Sequence, residues 1–257
     1  MKRTLVALGW AIAAAPVAAQ NYPARTVRIV VPFPPGQGAD TMMRILAEGL
    51  TPALGQSFIV ENRPGAGGTI GTEYVAKQPA DGYTLLMAAS GIFAISPSLV
   101  AKLGYDPVRD FDPVTAVAGV AQAFVVNPGF AAKSIADLIR IAREKPGGVA
   151  YGSSGNGTTQ HLMVEQFASM AGIKLTHVPY KGSSPALTDL MSGTIPFLSD
   201  TIPVVRPLIQ AGKVRAIGVT SIRRQPFLPD VPTLDEQGVK GYDAVGWIGV
   251  AAPAGTP

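Results

Sequence analysis

Three strand-like runs in this 257-residue chain each end in a glycine-rich loop that opens a helix-like run. Pro34–Asp40 (PPGQGAD) follows Thr26–Val31 and leads into Ala39–Leu54. Gly65–Gly71 (GAGGTIG) follows Ser57–Glu61 and leads into Thr69–Lys77. Gly152–Thr159 (GSSGNGTT) follows Val149–Gly152 and leads into Thr158–Ala171. Glycine takes φ > 0 and lets a backbone come close, which a strand-to-helix turn needs. Strand and helix alternating in this way point to a doubly wound α/β sheet. Further strands are expected at Tyr83–Ala88, Ala123–Asn127, Lys174–Val178 and Val214–Thr220. Further helices are expected at Ser134–Glu144 and Pro185–Met191, with one closing at Leu208–Gly212. The pattern restarts near residue 123. Two mostly parallel lobes are therefore expected, one from residues 20–122 with the chain returning at 247–257, the other from 123–246, with the ligand cleft between them.

Composition supports a packed globule: 47% of residues are apolar and 15% charged, the opposite of a disordered polyelectrolyte. The net charge of +4 is scattered, without the Lys/Arg clusters and interleaved aromatics of a nucleic-acid surface. The chain has no cysteine, so disulfides, thiolate metal sites, a Cys nucleophile and a lipoprotein anchor are excluded. Lys2 and Arg3, the apolar Leu5–Ala15 and the small residues Val17–Ala19 form a secretory signal peptide, with cleavage expected after Ala19. No later apolar run approaches the ~18 residues of a membrane span.

Helix amino ends present free N–H groups and a partial positive charge, which favours an anion. The three loops lack the Lys of a phosphate loop. Ser153, Ser154, Thr158 and Thr159 instead supply neutral donors, which suit a carboxylate that must bind and leave. Asp40 reads equally as a helix cap or a site residue. Tyr180 and Asp200 follow apolar stretches and could face the cleft. Phe33, Phe93 and Trp247 are core by default, Phe33 being the best exception because it lies in a glycine loop.

Enzymatic readings have less support. No Lys-Ser/Thr follows Gly65–Gly71, as a Walker A loop requires, and the next strand ends in LLMAAS rather than in the acidic residue of a dinucleotide fold. Tyr151–Gly157 lacks the G-x-S-x-G elbow of a serine hydrolase. His161 reads as a ligand or capping contact, His177 as structural, and the pair without nearby carboxylates argues against a metal site. A secreted hydrolase remains the alternative.

Several segments, in order and spacing, resemble the tripartite tricarboxylate transporter receptors, the Bug-type periplasmic solute-binding proteins. They are VPFPPGQGAD (31–40) with Arg44, VENRPGAGGTIG (60–71), DGYTLL (81–86), YGSSGNGTTQHL (151–162), HVPYKG (177–182), GKVRAIGVTS (212–221), LPDVPTLDEQG (228–238) and the final APAGTP. The resemblance implies a two-lobed type II fold closing on a small organic acid, without catalysis or cofactor. It implies a periplasmic monomer that delivers its ligand to a membrane permease or presents it to a sensor kinase, and no nucleic-acid partner. Carried over by position, the first-lobe site would be Phe33, Gly36, Gln37, Gly38, Asp40, Gly67, Gly68, Thr69 and Ser90. The second-lobe site would be Ser153, Ser154, Gly157, Thr158, His161, Tyr180 and Asp200. Phe33 and Tyr180 would flank the ligand, and Asp40 would order a bridging water. Two departures bear on specificity: Gln37 stands where the family loop has glycine, and Pro196 and Ser199 alter the segment before Asp200. Members run longer than this chain, so a further element packing on the first lobe is expected beyond Pro257.

Overall fold

The computed structural model describes residues 22–257, and the expected signal peptide lies outside them. The first strands and helices are β1 (Val27–Val31), α1 (Gly38–Leu54), β2 (Phe58–Asn62), α2 (Thr69–Ala76), β3 (Thr84–Ala89) and α3 (Ser96–Leu99). Next come β4 (Phe111–Val126), α4 (Ile135–Glu144), β5 (Ala150–Ser153), α5 (Thr159–Ala171), β6 (Thr176–Pro179) and α6 (Ser183–Ser192). The chain ends with β7 (Phe197–Thr201), α7 (Ile202–Gln210), β8 (Arg215–Val219) and β9 (Val245–Pro253).

β1 is VRIVV, β-branched and almost wholly buried, so it occupies the interior of its sheet between β2 and β3, parallel to both. α1 ends at Gly55, whose left-handed φ of 71° lets its N–H reach the Thr51 carbonyl. In the second half β5 is parallel to β6 and to β7.

β4 joins the halves. Its residues up to Ala121 pair antiparallel with β9, while Gln122–Val126 pair antiparallel with β7 and, from Ala123, with β8. The order β2-β1-β3-β9-β4-β7-β5-β6 is thus continuous, with β8 on the other side of β4. Each half is parallel in its βαβ part and antiparallel where β4 and β9 cross, because those strands connect the two halves.

The side chains at the end of β4 alternate between two cores. Phe124 and Val126 join Leu138, Phe167 and Tyr242 on the α4/α5 side. Ala123 and Val125 join Leu187, Leu190 and Val205 on the α6/α7 side. A separate core holds Ile29, Met43, Val75, Leu86 and Val250 in the first half.

Three elements differ from the sequence expectations. The expected strand at 123–127 begins at Phe111, because Asp112, Pro113 and Gly119 mask an exposed edge segment. β9 is hidden in GWIGVAAP by its glycines. Each marks a close approach: a Cβ at Gly246 would stand 3.1 Å from Ser90 Oγ, and one at Gly249 2.7 Å from the Thr115 carbonyl oxygen. The helix expected to close at 208–212 spans Ile202–Gln210, its proline near the amino end being a start signal.

Candidate functional site

The strand ends and the helix starts that follow them meet at the seam between the halves, around a cavity of about 60 Å3. At roughly 10–15 Å3 per water this holds about four to six waters. Four helical segments begin there: α1 after Gln37, a turn at Gly91–Ile95 after Ser90, α5 after Thr158 and α7 after Thr201. All four preceding residues line the cavity. First-turn N–H groups have no intrahelical acceptor, so the cavity is surrounded by donors and by the positive ends of helix dipoles. Phe33, Met87, Val120, Trp247 and Ile248 supply apolar walls. Among the described residues, none that lines the cavity is charged.

Two lining side chains are left without partners. Gln37 is 6% exposed, makes no cap hydrogen bond, and its Nε2 has no acceptor among the described residues. Thr201, 8% exposed, likewise has an unpaired Oγ1. Leaving a buried donor unsatisfied costs about 1–3 kcal/mol, which an incoming acceptor would recover.

The two halves are close across this seam. A Cβ at Gly182 would stand 3.0 Å from Gln37 Nε2, and one at Gly67 would stand 2.9 Å from the Asn156 carbonyl oxygen. At Gly38 it would overlap Thr201 Oγ1 and lie 3.2 Å from Thr201 Cβ.

Of the residues singled out from the sequence, Phe33, Gln37, Gly38, Gly67, Ser90 and Thr158 line the cavity. The others stand elsewhere. Asp40 is not available to order a water. Its carboxylate accepts from Gly36 N at 2.9 Å, Arg44 Nε at 3.0 Å and Asn62 Nδ2 at 2.8 Å, fastening the loop and α1 to β2. Burial works to raise its pKa, but these partners outweigh it and hold the group below the usual carboxylate value. Gly68 packs beneath Phe33. Thr69 donates to the Ala66 carbonyl on the surface. Tyr180 does not flank the cavity: its hydroxyl donates to Asp189 Oδ2 at 2.7 Å, and burial followed by that bond pushes it up to about 12.

Ser153, Ser154, Gly157 and His161 hold the second-half loop in shape. Ser153 is 2% exposed and its Oγ lies 2.6 Å from His177 Nε2. The Ser154 carbonyl accepts from Gly182 N, and the Gly157 N–H donates to His161 Nδ1 at 3.2 Å. The His161 and His177 rings stack at 3.9 Å, with Tyr151 stacked on His177 at 4.9 Å. Burial lowers both histidines, His177 to about 4 with a further contribution from the His161 charge. Both rings are therefore neutral near pH 7. Ser153 and His177 resemble a nucleophile and its base, but the serine is buried beneath its own loop, where its hydroxyl also bonds Gly155.

Asp200 sits one layer behind the cavity, 2% exposed. Its Oδ1 accepts from Thr201 N at 2.7 Å and from Gln160 Nε2 at 3.4 Å. Burial raises its pKa. The Ser183 and Thr201 hydroxyls beside it pull the other way, although neither closes a hydrogen bond of normal geometry.

Thr159, read from the sequence as a neutral donor, also lines the cavity; Gln160 and Thr201 line it without having been singled out, and Trp247 lines it although it reads as core. Thr201 follows Asp200 at a fourth strand-to-helix junction that has no glycine; Pro203, near the start of α7, was the available signal.

Two α/β halves with a donor-lined cavity at their strand ends define a two-lobed binding protein of type II periplasmic fold. The chain belongs to the tripartite tricarboxylate transporter receptor family, whose family model matches residues 42–257. The receptors of this family are periplasmic. Protein BugT of Bordetella pertussis is 41% identical over 261 aligned positions, covering 100% of this chain and 80% of that protein. The solved structure of R. palustris Rpa4515 with adipate is 43% identical with a TM-score of 0.89, covering 92% of this chain and 79% of that one. MatC from Rhodopseudomonas palustris with bound malate is 32% identical with a TM-score of 0.86, covering 92% and 80%. Among the described residues no helix is long and apolar enough to cross a membrane.

Proposed function

We propose that this chain is an exported receptor that closes on one small organic acid and hands it to a membrane permease, without chemical change to the ligand. Residues 20–122 and 247–257 form one lobe, 123–246 the other, and the signal peptide at 1–19 directs export. The observation that carries the reading is the cavity's lining: four helix starts and the unpaired Gln37 and Thr201 donors, with no charged side chain. Such a site binds a carboxylate through N–H and O–H groups. Each hydrogen bond to the charged group contributes about 1.5–3 kcal/mol, and the absence of a cation keeps the complex reversible. The apolar walls take the carbon skeleton. Adipate and malate in the two related structures fit this class.

Calorimetry on protein unfolded and refolded to remove carried ligand, titrated with a panel of mono- and dicarboxylic acids, tests the proposal. Binding of at least one acid at 1:1 stoichiometry is expected. Absence of heat and of any thermal shift across the panel would refute it.

A further inference from the structure

We propose that Asp200 makes ligand capture proton-linked: its buried carboxyl takes up one proton from solvent as an organic anion enters the cavity. The inference rests on the carboxylate reading above and concerns a group that does not itself line the cavity.

The geometry has three parts. First, Asp200 and the cavity share their neighbours. Thr201 N and Gln160 Nε2, which bond its Oδ1, belong to residues that line the cavity, so one residue layer separates the carboxyl from the bound acid. Second, among the described residues, the groups set against Asp200 bring no positive charge. α5 presents Gln160, α6 presents Ser183, β4 pairs Ala123 with Asp200, and α1 brings Gly38 against Thr201. The nearest carboxylate on α1, Asp40, is occupied by Arg44. Among the described residues no ion pair includes Asp200. Third, an anion in the cavity adds a second negative charge to a buried region without a cation. Two such charges raise each other's pKa, and the group already disfavoured by burial accepts the proton.

Protonation also improves the site. The ionised carboxyl can only accept hydrogen bonds, whereas the acid form carries one O–H donor. That O–H can donate to the unpaired Thr201 Oγ1 beside it. The Thr201 hydroxyl hydrogen is then free to turn toward the cavity and the ligand. Proton uptake and donor supply thus act together, and affinity rises as pH falls from neutrality toward the ligand's own pKa.

The test is isothermal titration with malate and with adipate, from pH 5 to 8, in pairs of buffers that differ in ionisation enthalpy. The expected result is net uptake approaching one proton per acid bound, and an affinity that strengthens by up to tenfold per pH unit in the coupled range. Asp200→Asn should bind with no uptake and a flat pH profile. Binding without uptake in the wild type, or uptake that persists in Asp200→Asn, overturns the inference and leaves the receptor reading intact. Failure of both acids, and of the wider panel, overturns the receptor reading itself and this inference with it. Should Asp200→Asn not fold, infrared difference spectra of wild-type protein carrying 13C-carboxyl aspartate decide the matter. A protonated-carboxyl band shifted by the label should appear on ligand addition; no shifted band contradicts the assignment.

Discussion

Gly38→Ala separates closure of the seam from stability of the fold. Gly38 is the first residue of α1 and its φ is not in the left-handed region. Alanine there meets no backbone strain and gains up to ~1 kcal/mol of helix propensity. Across the seam the new methyl would overlap Thr201 Oγ1 and lie 3.2 Å from Thr201 Cβ. Rotating Thr201 moves its hydroxyl but not its Cβ, so the seam must open by a few tenths of an ångström at this contact. Opening withdraws the Gln37 and Thr201 donors from the acid. Each is a charge-assisted hydrogen bond of about 1.5–3 kcal/mol. Loss of about 2–3 kcal/mol weakens binding roughly 30- to 150-fold. Gly49→Ala is the control, since it lies in the same helix with nothing within 4 Å of its added methyl. Calorimetry with the acid found by the panel, and thermal melts of ligand-free protein, supply the two readouts. Gly38→Ala should bind far more weakly while melting no lower than wild type, and Gly49→Ala should bind like wild type. An affinity for Gly38→Ala within threefold of wild type would refute the reasoning.

Three more outcomes follow from the same geometry. Gly67→Ala places a methyl 2.9 Å from the Asn156 carbonyl oxygen at a φ of 67°, so affinity should fall at least tenfold by calorimetry; unchanged binding would mean the two halves do not approach at Gly67. Tyr180→Phe removes the bond to Asp189 and should lower stability by about 1 kcal/mol while leaving acid affinity unchanged, and a large affinity loss would restore Tyr180 to the site. Urea midpoints should fall on acidification from pH 6.5 to about 4, because the unfolded chain protonates His161 and His177 where the folded one keeps them neutral. The loss from His177 is about 1–2 kcal/mol once its half-open position is allowed for. The difference between wild type and His177→Asn isolates it from Asp200, whose raised carboxyl acts in the opposite sense; identical pH profiles would contradict the assignment.

The βα repeat was legible because β1 and its glycine loop are local signals: a β-branched run buried on both faces, then a turn that only glycine makes easily. The first-half cavity residues Gln37 and Gly38 came with that loop, and Gly67 with the similar loop after β2. Thr201 did not, because its role depends on Gly38 approaching from the other half, a contact between residues far apart in sequence. Asp40 and Tyr180 show the converse. Each lies in a segment that suits a binding site, yet Arg44 and Asp189 claim their polar atoms in the fold; Arg44 accompanies the motif without its pairing being legible there, and Asp189 lies outside it. β4 was half legible, since its buried end reads as a strand and its exposed edge carries Asp112, Pro113 and Gly119. Trp247 reads as core in sequence. It reaches the cavity because β9 returns to the first half and its backbone N–H meets Ser90.

Mass spectrometry of small molecules released by unfolding protein purified from its native host tests the central claim most directly. The expected result is one organic acid of a few carbon atoms, near one equivalent per chain, that rebinds to the refolded protein. Release of a cation or an uncharged sugar at that stoichiometry, with no acid bound, would contradict a cavity built from helix starts and neutral donors to hold a carboxylate.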